Sequence, residues 1–504
     1  MVDFGKKLIS NTAFLLLDWF SVAIFSFLFW IVVARFLTAE DYGIVATVVN
    51  ASIIISSISF FGLGTAVFKL IPEYLQLKKT GKAYALIRFS FKLVFLVNLA
   101  VAVVLVIFSG QIAPILKLQP IHVILIGILT LATSLANFSS SVLQGFQDMK
   151  WVSITDSVGY IVKAVGSFLL LFLFLSNLVP ILVFTVALFI IFILRYNRKW
   201  FSKIPGEIDY KEIMNHYAFP TFLGSIAWMI FNNAQYLILT IIKDPSATGV
   251  FSVAAVVTTL IAVIPNTIAN AFFPLLSQLS VGKSFRRKRE FYVSMNVRYA
   301  LFIAIPLAMA FILFPGKIVV LFSRTKYLGA IPLFPILSIA ALMNGLGIMF
   351  SNNLYAVGKI KLYRNIVAIT AILFLLVSIG LTEMFSAMGL SVAYALTMIF
   401  FFSSSFYYLK KMVNFKIKLL DVIKIAVSSS VWIVFFNFTS VIISNSILQI
   451  VYLAVSAIVY LLLLLPLRFY RKEDIRILDY ARIRLPKSLL GTFDKLTNFI
   501  IKFT

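Results

Sequence analysis

The sequence predicts an all-α polytopic membrane protein of about fourteen transmembrane helices. They are arranged as two six-helix lobes related by a pseudo-two-fold axis along the membrane normal, with two further C-terminal helices. Three observations carry this. The 504 residues are 62% hydrophobic and only 12% charged, about half the charge of a soluble chain, and apolar stretches long enough to cross a bilayer recur from end to end. Of the 44 Lys and Arg, 37 fall in alternate loops and the tail and six in the loops between, the positive-inside pattern. Finally, the chain partly repeats itself at an offset near 206 residues.

The apolar runs place the spans near 9–33, 43–66, 88–109, 121–143, 152–175, 178–195, 217–241, 249–276, 295–314, 330–352, 364–382, 387–409, 422–444 and 447–467. The first, Leu8 to Val33, is too long for the apolar region of a signal peptide and is expected to be an uncleaved helix. The second opens at Tyr42-Gly43, just after a short turn. The fifth carries Asp156 and Lys163, and the seventh is marked by Asn232, Asn233 and Gln235. The eighth holds Asn266 and Asn270 beside Pro265 and Pro274, and the ninth begins near Arg298 and contains Pro306. Prolines inside helices are candidate bending points. An even number of spans agrees with both termini lying in the cytoplasm, in a cell membrane.

A shift of 206 lays Tyr42-Gly43-Ile44-Val45 over Thr248-Gly249-Val250-Phe251, Phe108-Ser109-Gly110 over Phe314-Pro315-Gly316, and Lys92 over Arg298. Copies of six spans keep the same orientation. The expected organisation is a first lobe at 1–205, a second at 206–414, the last two spans at 415–467 and a tail at 468–504. Basic residues there mix with Ile475, Leu478, Ala481 and Leu485 at helical spacing. That pattern suits a helix lying on the cytoplasmic leaflet.

Lys163 is the most informative residue. It lies 13 positions beyond Lys150, hence roughly 20 Å into the bilayer. An uncompensated charge there costs at least about 2.5–3.5 kcal/mol. Seven residues from Asp156, it shares that residue's helix face. Asp18 is the other deep acid. Two readings compete. Asp18 or Asp156 pairs with Lys163 and merely fixes packing, or Lys163 and Arg298 line a cationic cavity for an anionic ligand that the acids tune or release. Asn233, Gln235 and Asn270 either hydrogen-bond neighbouring helices or contact sugar hydroxyls. Arg35 and Lys92 complete the candidate binding residues.

Much is excluded. The net charge of +26 sits in loops and argues for topology and anionic lipid rather than nucleic acid. There is no cysteine and there are only two histidines, so thiolate and histidine metal sites are not expected. No Walker A sequence, dinucleotide loop or catalytic triad stands out, and Glu383 is the lone acid of its outer loop. Neither a cofactor nor catalysis is expected.

The stretch Ala34-Arg35-Phe36-Leu37-Thr38-Ala39-Glu40-Asp41-Tyr42-Gly43 resembles the "A-R-x-L-G-x-x-x-Y-G" turn of polysaccharide transporter flippases, members of the multidrug/oligosaccharidyl-lipid/polysaccharide exporter superfamily. Thr248-Gly249-Val250-Phe251-Ser252-Val253-Ala254 is similar to the family's "V-G-x-Y-S-x-A" counterpart, and Phe273-Pro274-Leu275-Leu276-Ser277 to its "P-x-x-S" close. Thr38 stands where the turn usually has glycine, and Gln235 where an acid is often found. The resemblance implies a flippase that moves a polyprenyl-(pyro)phosphate-linked oligosaccharide from the cytoplasmic to the outer leaflet by alternating access. It also implies a monomer working among membrane lipids and glycan-assembly enzymes, with Arg35 at the outer end of the first helix. The alternatives are a cation-coupled multidrug exporter of the same superfamily and, in another class, a membrane glycosyltransferase or ligase.

Overall fold

Several helices start where the sequence supplies a capping side chain. The computed structural model describes residues 2–197, 200, 204–278, 286–323, 325–440, 443, 446–471 and 474, and no strand occurs among them. In chain order the helices are α1 Val2–Phe36, α2 Ala39–Ser59, α3 Leu63–Gln76, α4 Thr80–Ile107, α5 Ser109–Ile115, α6 Pro120–Gly145, α7 Met149–Leu173 and α8 Leu178–Arg195. The short α9 Tyr210–Ile213 leads through a wide π turn into α10 Phe219–Ile242, followed by α11 Pro245–Gln278, α12 Arg286–Leu313 and α13 Pro315–Ser323. Then come α14 Leu333–Ala356, α15 Ile360–Val413, α16 Leu419–Thr439 and α17 Ser446–Leu463. Thr38 caps α2 by accepting from the Asp41 amide at 3.2 Å, and Glu40 and Asp41 add negative charge to that first turn. Asp148 caps α7 through the Trp151 amide. The π turn at Met214–Ala218 is followed, after Phe219, by Pro220, whose missing N–H removes one regular helical bond.

Among the described residues, eleven helices are long and apolar enough to cross a membrane. The fourteen expected spans exceed that number for two reasons. Spans 364–382 and 387–409 run together in α15, which is broken at Ser386 (φ 53°, ψ −137°). The first and last spans show shorter apolar helices, Phe20–Phe36 and Val451–Leu463. One boundary needs correction. The second span was expected to reach residue 66, but α2 ends at Ser59. Phe61 (φ 48°) and Gly62 (φ 71°) both take left-handed backbone, so the chain turns and α3 starts afresh. The helical tail expected beyond Asp474 lies outside the described residues.

The chain divides into two compact units. The first comprises Met1–Val257, Phe322–Leu333 and Arg364–Thr397, and the second Thr258–Leu321, Phe334–Tyr363 and Met398–Thr504. In the first, α7 packs against α1 and α8, and α2 against α6 and α10. In the second, α12 packs on α16, and α16 on α17.

Within the first unit the repeat mates Gly43 and Gly249 meet. A Cβ on Gly43 would stand 1.7 Å from the Pro245 carbonyl oxygen, and one on Gly249 would stand 1.8 Å from that of Ala39. Only glycine lets the two backbones come this close. One turn on, the hydroxyls of Thr47, Thr240 and Thr248 form a chain with spacings of 2.6 and 2.7 Å. Beside them Lys326 donates to the carbonyls of Arg35 and Phe36 at 3.3 and 3.1 Å, and the Tyr327 hydroxyl donates to that of Thr38 at 3.0 Å. An ammonium over the last carbonyls of α1 is a favourable helix terminus.

Candidate functional site

Helices α1 and α7 run side by side, and their facing residues build two adjoining cavities. Ser26 on α1 faces Lys163 on α7. About two turns earlier in both helices, Asp18 shares a cavity with Asp156. Spacings of three and four keep Asp156, Tyr160 and Lys163 on one helix face.

The cavity at Lys163 has a volume of about 180 Å³. The lysine is 2% exposed. Its ammonium donates to Ser26 Oγ at 3.1 Å. It lies 4.3 Å from the ring centres of Tyr160 and Phe184 and 4.8 Å from that of Phe29. Such cation–π contacts partly offset lost hydration, but no carboxylate reaches it among the described residues. Across the cavity stand Asn50 of α2, Tyr236 of α10 and Ser252 of α11. Asn50 donates to its own helix at the Ala46 carbonyl, and Ser252 to that of Thr248. The site therefore offers one unpaired cation with amide and hydroxyl groups around it. The Gly43–Gly249 contact is less than two turns from Asn50 and one turn from Ser252.

The second cavity, about 210 Å³, is lined by Asp18, Asn137, Ser140, Asp156, Tyr160 and Arg195 among others. Tyr160 lines both. Asp156 does not pair with Lys163, which corrects the packing alternative for that acid. Its partner is Arg195, at 2.7 Å. The same guanidinium donates to Thr155 Oγ1 at 2.8 Å and to the carbonyls of Val152 and Ala136 at 3.1 and 3.3 Å. Arg195 is 3% exposed and closes the last turn of α8. The unusual cue was a cation at the very end of an apolar run, beside a helix that supplies both Thr155 and Asp156. Asp18 differs: its buried Oδ1 has no hydrogen-bond partner.

The other expected residues are placed elsewhere. Arg298, in the second unit, forms a two-pronged bridge to Asp474 at 3.1 and 2.8 Å and donates to the Phe469 carbonyl at 2.6 Å. Lys92 is exposed and Arg35 half-buried, and neither lines the Lys163 cavity. Asn233 and Gln235 spend their amide hydrogens on the carbonyls of Met229 and Asn232, and the Gln235 Oε1 is buried without a partner. Asn270, in the second unit, donates to Asn266 and accepts from Asn352, each at 3.3 Å. Ser26, Asn50, Tyr160, Tyr236 and Ser252 were not anticipated. Asn50 had the clearest signal, an amide in the middle of an apolar span.

Comparison with known proteins gives a consistent picture. Residues 8–280 match the family described as polysaccharide biosynthesis protein. An uncharacterised membrane protein of Methanocaldococcus jannaschii is 24% identical over 417 residues, which is 78% of this chain and 82% of that one. Among solved structures, the lipid II flippase MurJ in an inward closed conformation superposes with a TM-score of 0.70 at 17% identity. It covers 90% of this chain and 98% of its own. An inward-facing multidrug resistance transporter of the MATE family gives 0.64 at 13% identity, covering 78% and 94%. At such identities the structural likeness establishes the fold.

Proposed function

The chain belongs to the polysaccharide biosynthesis protein family, and on that premise we propose that it is a flippase for an oligosaccharide linked to a polyprenyl phosphate or pyrophosphate. It moves this lipid from the cytoplasmic to the outer leaflet of the cell membrane. The observation that carries the reading is the Lys163 ammonium, buried midway along the apolar helix α7 without a carboxylate partner among the described residues, in a cavity rimmed by hydroxyls and an amide. A charge so placed costs several kcal/mol unless a counter-charge visits it, and a phosphate does so with charge-assisted hydrogen bonds. At about 180 Å³ the space is smaller than the roughly 300–1,000 Å³ that engulfs a drug-sized ligand. It fits a phosphate group, with the sugars and the isoprenoid chain lying outside it.

Transport requires that the site open to each side in turn. The glycine contact between α2 and α11, with the Lys326 and Tyr327 bonds to the end of α1, serves as the outer closure. Asp18, one tyrosine away from Lys163, serves as the acid that competes for the ammonium and helps release the phosphate. A cation-selective drug exporter fits the Lys163 cavity poorly, since its ligand would meet an unpaired positive charge. The test is headgroup accessibility in liposomes holding a labelled polyprenyl-pyrophosphate sugar. The wild-type chain exposes inner-leaflet label to an outer reagent and Lys163→Met does not. Equal flipping by the two would refute the assignment.

A further inference from the structure

The second unit holds a cavity of another kind, about 310 Å³, among the first turns of α12 and α16 and the 414–418 segment. Its basic lining (Arg287, Arg298, Lys416, Lys418 and Arg471) exceeds its acidic lining (Glu290 and Asp421), and Asp421 and the nearby Asp474 are already taken. Asp474 receives both prongs of Arg298, the Tyr299 hydroxyl at 2.6 Å and the Arg471 amide at 2.8 Å. Asp421 pairs with the Arg471 guanidinium. That leaves Arg287, Lys416 and Lys418 on the cavity wall, with no carboxylate bridge to any of them among the described residues. Apolar side chains stand bare next to them: Leu419 is 72% exposed and Leu420 61%, with Ile423 and Val427 continuing the stripe along α16.

A positively charged recess at the end of a spanning helix, continued by an exposed aliphatic stripe, has the two-part chemistry of a phospholipid. We propose that this recess binds the phosphate of an anionic membrane lipid, its acyl chains lying along the open face of α16. The lipid comes from the leaflet on the basic-loop side, where anionic headgroups attract Lys and Arg. Its phosphate sets one negative charge among the three cations and ties α12 to α16 at the point where Arg471 and Asp474 anchor the end of the described chain. The site shares no residue with the Lys163 cavity, so the proposal stands whether or not the chain flips a glycan carrier.

The test uses the purified full chain in nanodiscs of phosphatidylcholine with or without phosphatidylglycerol, counting retained lipids by native mass spectrometry. Arg287→Gln/Lys416→Gln/Lys418→Gln is compared with Lys78→Gln/Lys79→Gln/Lys82→Gln, which removes three exposed lysines from another basic segment. At roughly fivefold per cation, the first variant loses phosphatidylglycerol binding on the order of 100-fold and the second keeps it. Lys418→Glu, a single charge reversal, loses on the order of 30-fold and covers failure of the triple variant to fold. Equal losses in both triple variants, or none in either, would overturn the site. Glycerol phosphate in solution competing as well as the lipid would overturn the lipid as occupant and leave a site for free phosphate.

Discussion

Two buried cations of this chain, Lys163 and Arg298, live under opposite rules. Arg298 has a carboxylate at two prongs, a backbone carbonyl and the Phe469 ring 4.5 Å from its carbon. Lys163 has one serine hydroxyl and three rings. A cation held by a carboxylate at two prongs is committed to holding its neighbours together. One met only by weak partners keeps most of its electrostatic need for something that arrives later. Burial alone does not separate the two, since the sequence suggests both as ligand contacts. The inventory of partners does.

Removing each cation is the sharpest way to break the comparison. Arg298→Gln leaves Asp474 and Asp421 with Arg471 as the cation between them, and loss of one partner from a buried ion pair costs about 3–5 kcal/mol. Thermal unfolding in detergent is expected to show the largest drop of any variant discussed. Lys163→Met should leave unfolding unchanged or raise its midpoint, since it removes a desolvation cost of about 2.5–3.5 kcal/mol. If Lys163→Met instead melts like Arg298→Gln, both cations are structural and the distinction fails.

The closure proposed at Gly43 and Gly249 supplies a smaller effect. A methyl on Gly43 collides with the Pro245 carbonyl, so Gly43→Ala must part α2 from α11. Against a cysteine-free background, Ser26→Cys in the Lys163 cavity should then react with an impermeant thiol reagent from outside about tenfold faster, the equivalent of about 1.4 kcal/mol of lost closure. An unchanged rate would show that this contact does not seal the cavity. Asp18→Asn should matter least to the fold, shifting stability by no more than about 1 kcal/mol, because the carboxylate has little to lose. A large loss of melting temperature in that variant would reveal a partner for Asp18 and bring it under the same rule as Arg298.

What the sequence made legible follows from what repeats along it. The spans and the repeat offset rest on composition and spacing, and the helices lie close to where apolar runs placed them. The Tyr42-Gly43 over Thr248-Gly249 match even singled out two residues that meet in space. Partners were not legible. Nothing in the spacing of Asp156 and Lys163 could reveal that Arg195, at the end of a different helix, would take the acid. Nor could the repeat mate of Lys92 show that Arg298 would be claimed by Asp474, 176 residues onward. The end of α2 was misplaced because two successive residues adopt positive φ, and only one of them is glycine.

Restoring a charge is a stricter test than deleting one. With no native cysteine in the chain, Lys163→Cys can be alkylated selectively with bromoethylamine, which rebuilds an ammonium at nearly the original reach. In liposomes with polyprenyl-pyrophosphate sugar, the cysteine variant should not flip, aminoethylation should return most of the activity, and a neutral methylthio adduct should return none. Flipping by the unmodified variant, or equal rescue by the neutral adduct, would show that the charge at this position does not handle the substrate.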